Sequence, residues 1–142
     1  MDKKTAQKIS RNAWQYMEDG YHCSEAIILA VGEGYLPKVD PLLLRASTPF
    51  AGGIGTGKTD LCGSLSGGIM LIGALYGRAD GQTNDDQCLA LAAEFRERFL
   101  REFGFTNCQA LKDNWVGKPG QASCKDLTEQ AAGLLTEILE SM

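Results

Sequence analysis

Nowhere in this chain do apolar and polar residues alternate as they would along a half-buried strand; apolar residues instead recur three and four positions apart. That pattern restricts the fold to packed helices. Ala6, Ile9, Ala13, Tyr16 and Met17 form a first stripe, closed by Gly20, and a second helix runs from about Ser24 through "EAIILAVGEG". Asp40 followed by Pro41 reads as an N-cap with proline at the first helical position, opening a short third helix. After a loop from Ser47 to Thr59 comes the apolar segment "LCGSLSGGIMLIGALYG", in which Gly63 and Gly67, and again Gly73 and Gly77, stand four apart on one face, leaving room for a neighbouring backbone. Thr59 or Asp60 is the expected cap of this helix, with Cys62 in its first turn. Thr83 with Asp86 resembles a capping box for a helix that buries Cys88, Ala92, Phe95, Phe99 and Phe103 and ends at Gly104. Asn107 can cap a short helix "CQALKD"; Ser123 and Asp126 open the last one, which turns Leu127, Ala131, Leu134, Leu135, Ile138 and Leu139 inward. The expectation is an all-α fold: one domain, residues 1–142, a bundle of about six to seven helices around a central glycine-rich apolar helix.

At 142 residues with 44% hydrophobic and 23% charged residues, the chain is long enough to bury its own core. Fourteen basic against eighteen acidic residues give a net charge of −4, and no Lys/Arg cluster could track a phosphate backbone, so no nucleic-acid partner is expected. The opening "MDKKTAQKISRNAWQYMEDG" has no apolar h-region, and the longest uncharged stretch, Leu61 to Gly77, is too short and too rich in glycine for a bilayer span. A cytoplasmic protein without membrane insertion is the expectation.

The segment "GGIGTGKT", Gly52 to Thr59, satisfies the triphosphate-binding pattern GxxxxGK(S/T) letter for letter. A true phosphate loop of this kind needs a hydrophobic strand running into it and a second strand ending in an acidic metal ligand. Only the following helix is present here, and "LLLRASTPFA" before the motif is broken by Arg45, Ser47, Thr48 and Pro49. Nucleotide binding at Gly52–Thr59 is therefore the weakest functional reading.

Five cysteines, Cys23, Cys62, Cys88, Cys108 and Cys124, are many for a reducing compartment, where such density points to metal binding or electron exchange more than to permanent bridges. The plain alternative is that several are small core residues. Cys23, Cys62, Cys108 and Cys124 all fall at predicted helix beginnings, where unpaired N–H groups and the positive end of the dipole favour a thiolate, and only Cys88 lies a turn deeper. If those starts converge, they form a pocket of acidified thiols suited to thiol–disulfide exchange or to soft-metal ligation. No pair has CxxC spacing. His22 beside Cys23 is a ligand, a proton acceptor or an ordinary surface residue; Trp14 and Trp115 read as packing anchors, and Asp60 first as a cap.

On "YHCSEAIILA" (Cys23), "FAGGIGTGKTDLCGSLSGG" (Cys62, Gly63, Gly67), "FGFTNCQAL" (Cys108) and "SCKDLTEQAAGLL" (Cys124), the chain resembles the redox-active proteins named for the cysteine pattern C…CGAxxG…C…C, over nearly its whole length. Ser64 stands where that motif has Ala, and Lys58 and Thr59 lie outside the motif. The resemblance implies a redox role for Cys23, Cys62, Cys108 and Cys124, with Gly63 and Gly67 as cofactor-binding candidates, and association with a transporter component; it implies no substrate. Two chemistries stay open: an iron–sulfur cluster or another thiolate-bound metal held by all four cysteines, or a reversible dithiol/disulfide. The reading from another class is a helical interaction module whose cysteines are structural or hold zinc. An unknown redox partner and a homo-oligomer are both compatible with the sequence.

Overall fold

A computed structural model describes all residues, 1–142. It consists of seven α-helices, a single turn of 3-10 helix and no strand: α1 (Lys3–Glu18), α2 (Cys23–Tyr35), α3 (Pro41–Ser47), α4 (Gly63–Tyr76), α5 (Asp86–Phe103), α6 (Cys108–Asn114) and α7 (Cys124–Glu140), with the 3-10 turn at Thr48–Phe50. The all-α expectation holds. No helix is long and apolar enough to cross a membrane.

Most of the expected boundaries rest on the caps foreseen. The Asp40 carboxylate accepts from the Leu42 N–H at 2.8 Å, Asn107 accepts from Ala110 at 3.1 Å, and Ser123 and Asp126 close a capping box on α7. Two caps differ. Thr83 is bound to Asp80 instead of capping α5, which starts at Asp86 behind Asp85 with no side-chain cap bond. Helix α4 starts two residues later than Asp60 allows, and Cys62 itself is its N-cap, with extended-side torsions of φ −54° and ψ 135°.

Three helices share the interior. Helix α2 packs on α1, α3, α4 and α7; α4 on α2, α3, α5 and α7; α7 on α1, α2, α4 and α5. Helix α4 is central as expected, and α2 and α7 share that place with it. Ile27, Ile28, Leu65, Leu71, Ile72, Phe95, Phe99, Leu135 and Ile138 are fully buried between them. Phe95, Phe99, Phe103 and Trp115 stack edge to face in succession, with centroids 4.6–6.1 Å apart. Trp115 is a packing anchor, as expected; Trp14 lies under the Lys125 ammonium, 5.4 Å from its ring centre.

The small residues of α4 decide how closely the helices approach. A methyl group at Gly67 would overlap the Ser24 carbonyl oxygen and stand 2.8 Å from the Ser24 α-carbon, and one at Gly63 would overlap the Cys23 sulfur. A third glycine, Gly68, receives the edge of the Phe95 ring in the same way. The second expected pair does not act like this: nothing lies within 4 Å of the Gly73 position, and Gly77 meets only its own helix at Gly73. Ser24, which faces Gly67, is wholly buried with its hydroxyl unpartnered, so it serves there through its small size.

Gly67→Ala should therefore destabilise the protein by about 1–3 kcal/mol, because the clash is with backbone that has no rotamer to escape into. Gly73→Ala, on the exposed side of the same helix, should stabilise it by about 0.5–1 kcal/mol. Paired urea titrations check both; equal effects would contradict the packing described.

Candidate functional site

Three helices of thirteen or more residues, α2, α4 and α7, start at one end of the bundle, joined there by the short α6. Cys23, Cys108 and Cys124 are the first residues of α2, α6 and α7, and Cys62 caps α4. All four line one cavity of about 210 Å³. The convergence that the sequence left open is therefore realised. Cys88 stands apart, half-buried on α5 against the core.

Within the cavity Cys23 is the common neighbour. Its sulfur seats on Gly63, the residue after Cys62, and its negative form disfavours ionisation of Cys62, Cys108 and Cys124 alike. Cys62 is 5% exposed and Cys108 6%, whereas Cys23 and Cys124 are partly open to solvent. His22 is the N-cap of α2 and borders the cavity. Its N–H donates to the Glu25 carboxylate at 2.8 Å, and that carboxylate also accepts from the Thr48 hydroxyl at 2.7 Å.

The expected acidification of the thiols does not occur at three of them. Burial pushes the Cys62 thiol from 9.0 up to about 12, and the nearby Cys23 sulfur adds to the rise. The N–H groups of Ser64 and Leu65 pull the other way, but no cap hydrogen bond closes on the Cys62 sulfur. Cys108 and Cys124 are also raised by burial, partly offset by the Lys112 ammonium at both and by Lys58 at Cys108. Desolvation outweighs the helix termini.

The glycine loop has a different purpose from the one its letters suggest. Gly52, Gly53, Ile54, Gly55 and Thr56 all have φ between 55° and 73°, and Lys58 follows at 66°, so the chain winds left-handed for a full turn. For the β-branched Ile54 and Thr56 this is a strained conformation. The N–H groups of Gly55, Thr56, Gly57 and Lys58 donate to carbonyls of Pro49, Ala51, Ile54 and Gly52, so half of the motif's N–H groups are spent inside the loop. With no strand before or after it, the loop lacks the setting that a triphosphate site of this type needs. It instead tucks Gly53 against the Cys108 β-carbon and leaves Lys58 on the cavity wall.

Two backbone pairs fix this wall. Cys62 N–H donates to the Thr106 carbonyl at 2.8 Å and Cys108 N–H to the Asp60 carbonyl at 2.9 Å. Deeper in, the Ser64 and Thr128 hydroxyls meet at 2.8 Å, and Thr128 donates onward to the Cys124 carbonyl at 2.9 Å, tying α4 to the first turn of α7. Gly67, taken from the sequence as a cofactor-binding candidate, faces α2 and not the cavity; Gly63 lines the cavity beneath the Cys23 sulfur. Asp60 lies outside the lining, its side chain capping nothing.

Residues 21–138 match a family model described as "Putative redox-active protein (C_GCAxxG_C_C)". The chain belongs to this family. The match spans the four cavity cysteines from Cys23 to Cys124 and leaves out the whole of α1. No curated protein and no solved structure matches the chain.

Sequence reasoning passed over Lys112, Thr128 and the cavity role of Lys58. The first two were within reach: Lys112 follows Cys108 by four residues and Thr128 follows Cys124 by four, which puts each one turn further along the same helix face. The role of Lys58 depends on the left-handed turn, which no letter pattern announces.

The raised thiols make stability depend on alkaline pH. Between 9.0 and about 12 the unfolded Cys62 loses its proton while the folded one keeps it, so its contribution is complete below 9 and disappears as pH climbs through that window. The unfolding free energy of the reduced protein should fall there by up to about 1.4 kcal/mol per pH unit on account of this thiol, with Cys108 and Cys124 acting in the same direction. Cys62→Ala should make the decline shallower in denaturant titrations; an unchanged slope would show that the thiol is not desolvated.

Proposed function

We propose that this family member cycles its cavity cysteines between dithiol and disulfide, with Cys23 and Cys62 as the primary pair. The observation that carries the reading is the seat of the Cys23 sulfur on Gly63, directly beside the Cys62 cap, inside a cavity that Cys108 and Cys124 also line. Cys23, which of the two partly open thiols is the one seated beside Cys62, attacks an external disulfide, forming one S–S bond and expelling one substrate thiolate. Cys62, buried and slow to ionise, resolves the mixed disulfide by attacking the Cys23 sulfur and expelling the second thiolate. The protein loses two electrons and two protons, and the substrate becomes two thiols. Cys108 and Cys124 remain in the cavity as partners for further exchange. Such chemistry suits a reducing compartment, the cytoplasm being the natural one.

A four-thiolate metal ion or iron–sulfur cluster is less well supported. No three Cys, His, Asp or Glu side chains approach closely enough to ligate one metal ion, whereas a tetrahedral site needs four donors about 2.3 Å from the metal. The arrangement as it stands does not fit a bound metal, and no step of the proposal uses one.

Anaerobic purification followed by thiol titration tests the proposal. The five thiols of the reduced chain should fall by two on mild oxidation with diamide and return with dithiothreitol. Cys88→Ser should still lose two, Cys23→Ser should lose none, and Cys62→Ser should trap an adduct on Cys23. Five free thiols that never change would favour the interaction module. Visible absorption that disappears with Cys62→Ser would favour a metal centre and overturn the dithiol.

A further inference from the structure

The charge of the cavity opposes that of the molecule. In a chain of net charge −4, the charged residues that line the cavity are Lys58 and Lys112, with His22 beside them and no Asp or Glu. Neither lysine is spent on an ion pair: the five pairs of the structure join the N-terminal amine to Glu140, Arg78 to Asp85, Arg98 to Glu137, Arg101 to Glu97 and Lys125 to Glu18. The first turns of α2, α4 and α7 add the positive ends of three long helices to the same space. Lys58 is placed there by strained backbone at φ 66°, tied down where its N–H meets the Gly52 carbonyl and its carbonyl meets the Gln109 N–H, each at 2.9 Å. Both ammonium groups act on the thiols, since Lys112 favours the anions of Cys108 and Cys124 and Lys58 that of Cys108. At about 210 Å³ the space is below the roughly 300–1,000 Å³ of pockets for drug-sized ligands.

We propose that the substrate of this cavity is a small organic disulfide bearing carboxylates, its anionic end held by Lys58 and Lys112 while its sulfur meets Cys23. The inference rests on the dithiol reading above and adds the substrate class. The exchange is balanced as before: Cys23 bonds to one substrate sulfur as the substrate S–S bond breaks, Cys62 displaces that sulfur from Cys23, and the carboxylate disulfide leaves as two carboxylate thiols carrying the two protons and two electrons of the protein dithiol.

The test uses the full reduced chain and three small disulfides of similar size: dithiodipropionate, which is anionic, hydroxyethyl disulfide, which is neutral, and cystamine, which is cationic. Dithiodipropionate should oxidise the protein about tenfold faster than hydroxyethyl disulfide at low salt, with cystamine slowest, and the preference should shrink as ionic strength rises. In Lys58→Gln/Lys112→Gln the anionic and neutral rates should converge, and Lys58→Arg/Lys112→Arg should restore the gap. Absence of the preference in the wild type, or its survival in the glutamine variant, overturns the substrate class while leaving the dithiol reading intact if hydroxyethyl disulfide still reacts. Suberate, in which methylenes replace the two sulfurs, separates the two ideas by calorimetry. Suberate binding that weakens about tenfold in the glutamine variant supports the anion site even if no disulfide reacts, and no binding to the wild type overturns it.

Discussion

The structure depends on one contact that has almost no side chain in it. Gly67 of α4 lies on the backbone of Ser24, and Gly63, a turn earlier, lies under the Cys23 sulfur. Because neither glycine has a Cβ, the first turns of α2 and α4 meet at the same level, and the two cysteines at their starts become neighbours. Ile27, one turn further along α2, packs its methyl on the same glycine face, so the close approach continues into the core instead of being confined to the site. Helix α7 then closes the third side, through Leu127, Ala131 and Leu135 within the core and through the Thr128–Ser64 hydroxyl pair at the cavity.

Two opposing electrostatic effects meet in that cavity, and their sizes decide the outcome. A helix terminus stabilises a nearby anion by about 0.3–1 kcal/mol, up to ~2 kcal/mol in partly buried settings. Raising a thiol from 9.0 to about 12 corresponds to roughly 4 kcal/mol against its anion. Four helix starts are consequently not enough to make Cys62 an open nucleophile. They set the thiols in place, and burial sorts them into two partly open ones, Cys23 and Cys124, and two covered ones, Cys62 and Cys108.

Much of this was legible in the sequence, for identifiable reasons. The three- and four-residue spacing of apolar residues gave the helices, and Asp40, Asn107 and Ser123 marked three starts because short polar side chains satisfy free N–H groups. The repeated position of cysteine at the starts of α2, α4, α6 and α7 pointed to one site. What could not be read was anything set by tertiary burial: that Cys62 would replace Asp60 as the cap, that Gly73 and Gly77 would face solvent or their own helix while Gly68 took a phenylalanine edge, and that Thr83 would turn to Asp80. The glycine loop misled in a specific way. Its letters fit a phosphate cradle, but handedness comes from φ angles, and the left-handed winding spends the N–H groups of Gly55, Thr56, Gly57 and Lys58 internally.

The pairing of residues 58–62 with 106–109 has a mechanical side. Besides the two cysteine N–H bonds, Gln109 N–H reaches the Lys58 carbonyl at 2.9 Å and the Asn107 side chain reaches the Thr59 carbonyl at 2.6 Å. Four rungs across so short a span make Lys58, Cys62 and Cys108 a single stiff jaw, anchored in the bundle through α4. Cys23 and Cys124 stand on separate helices opposite it. Cys62 and Cys108, whose own N–H groups are two of the four rungs, are thereby locked at one spacing although 46 residues separate them in the chain.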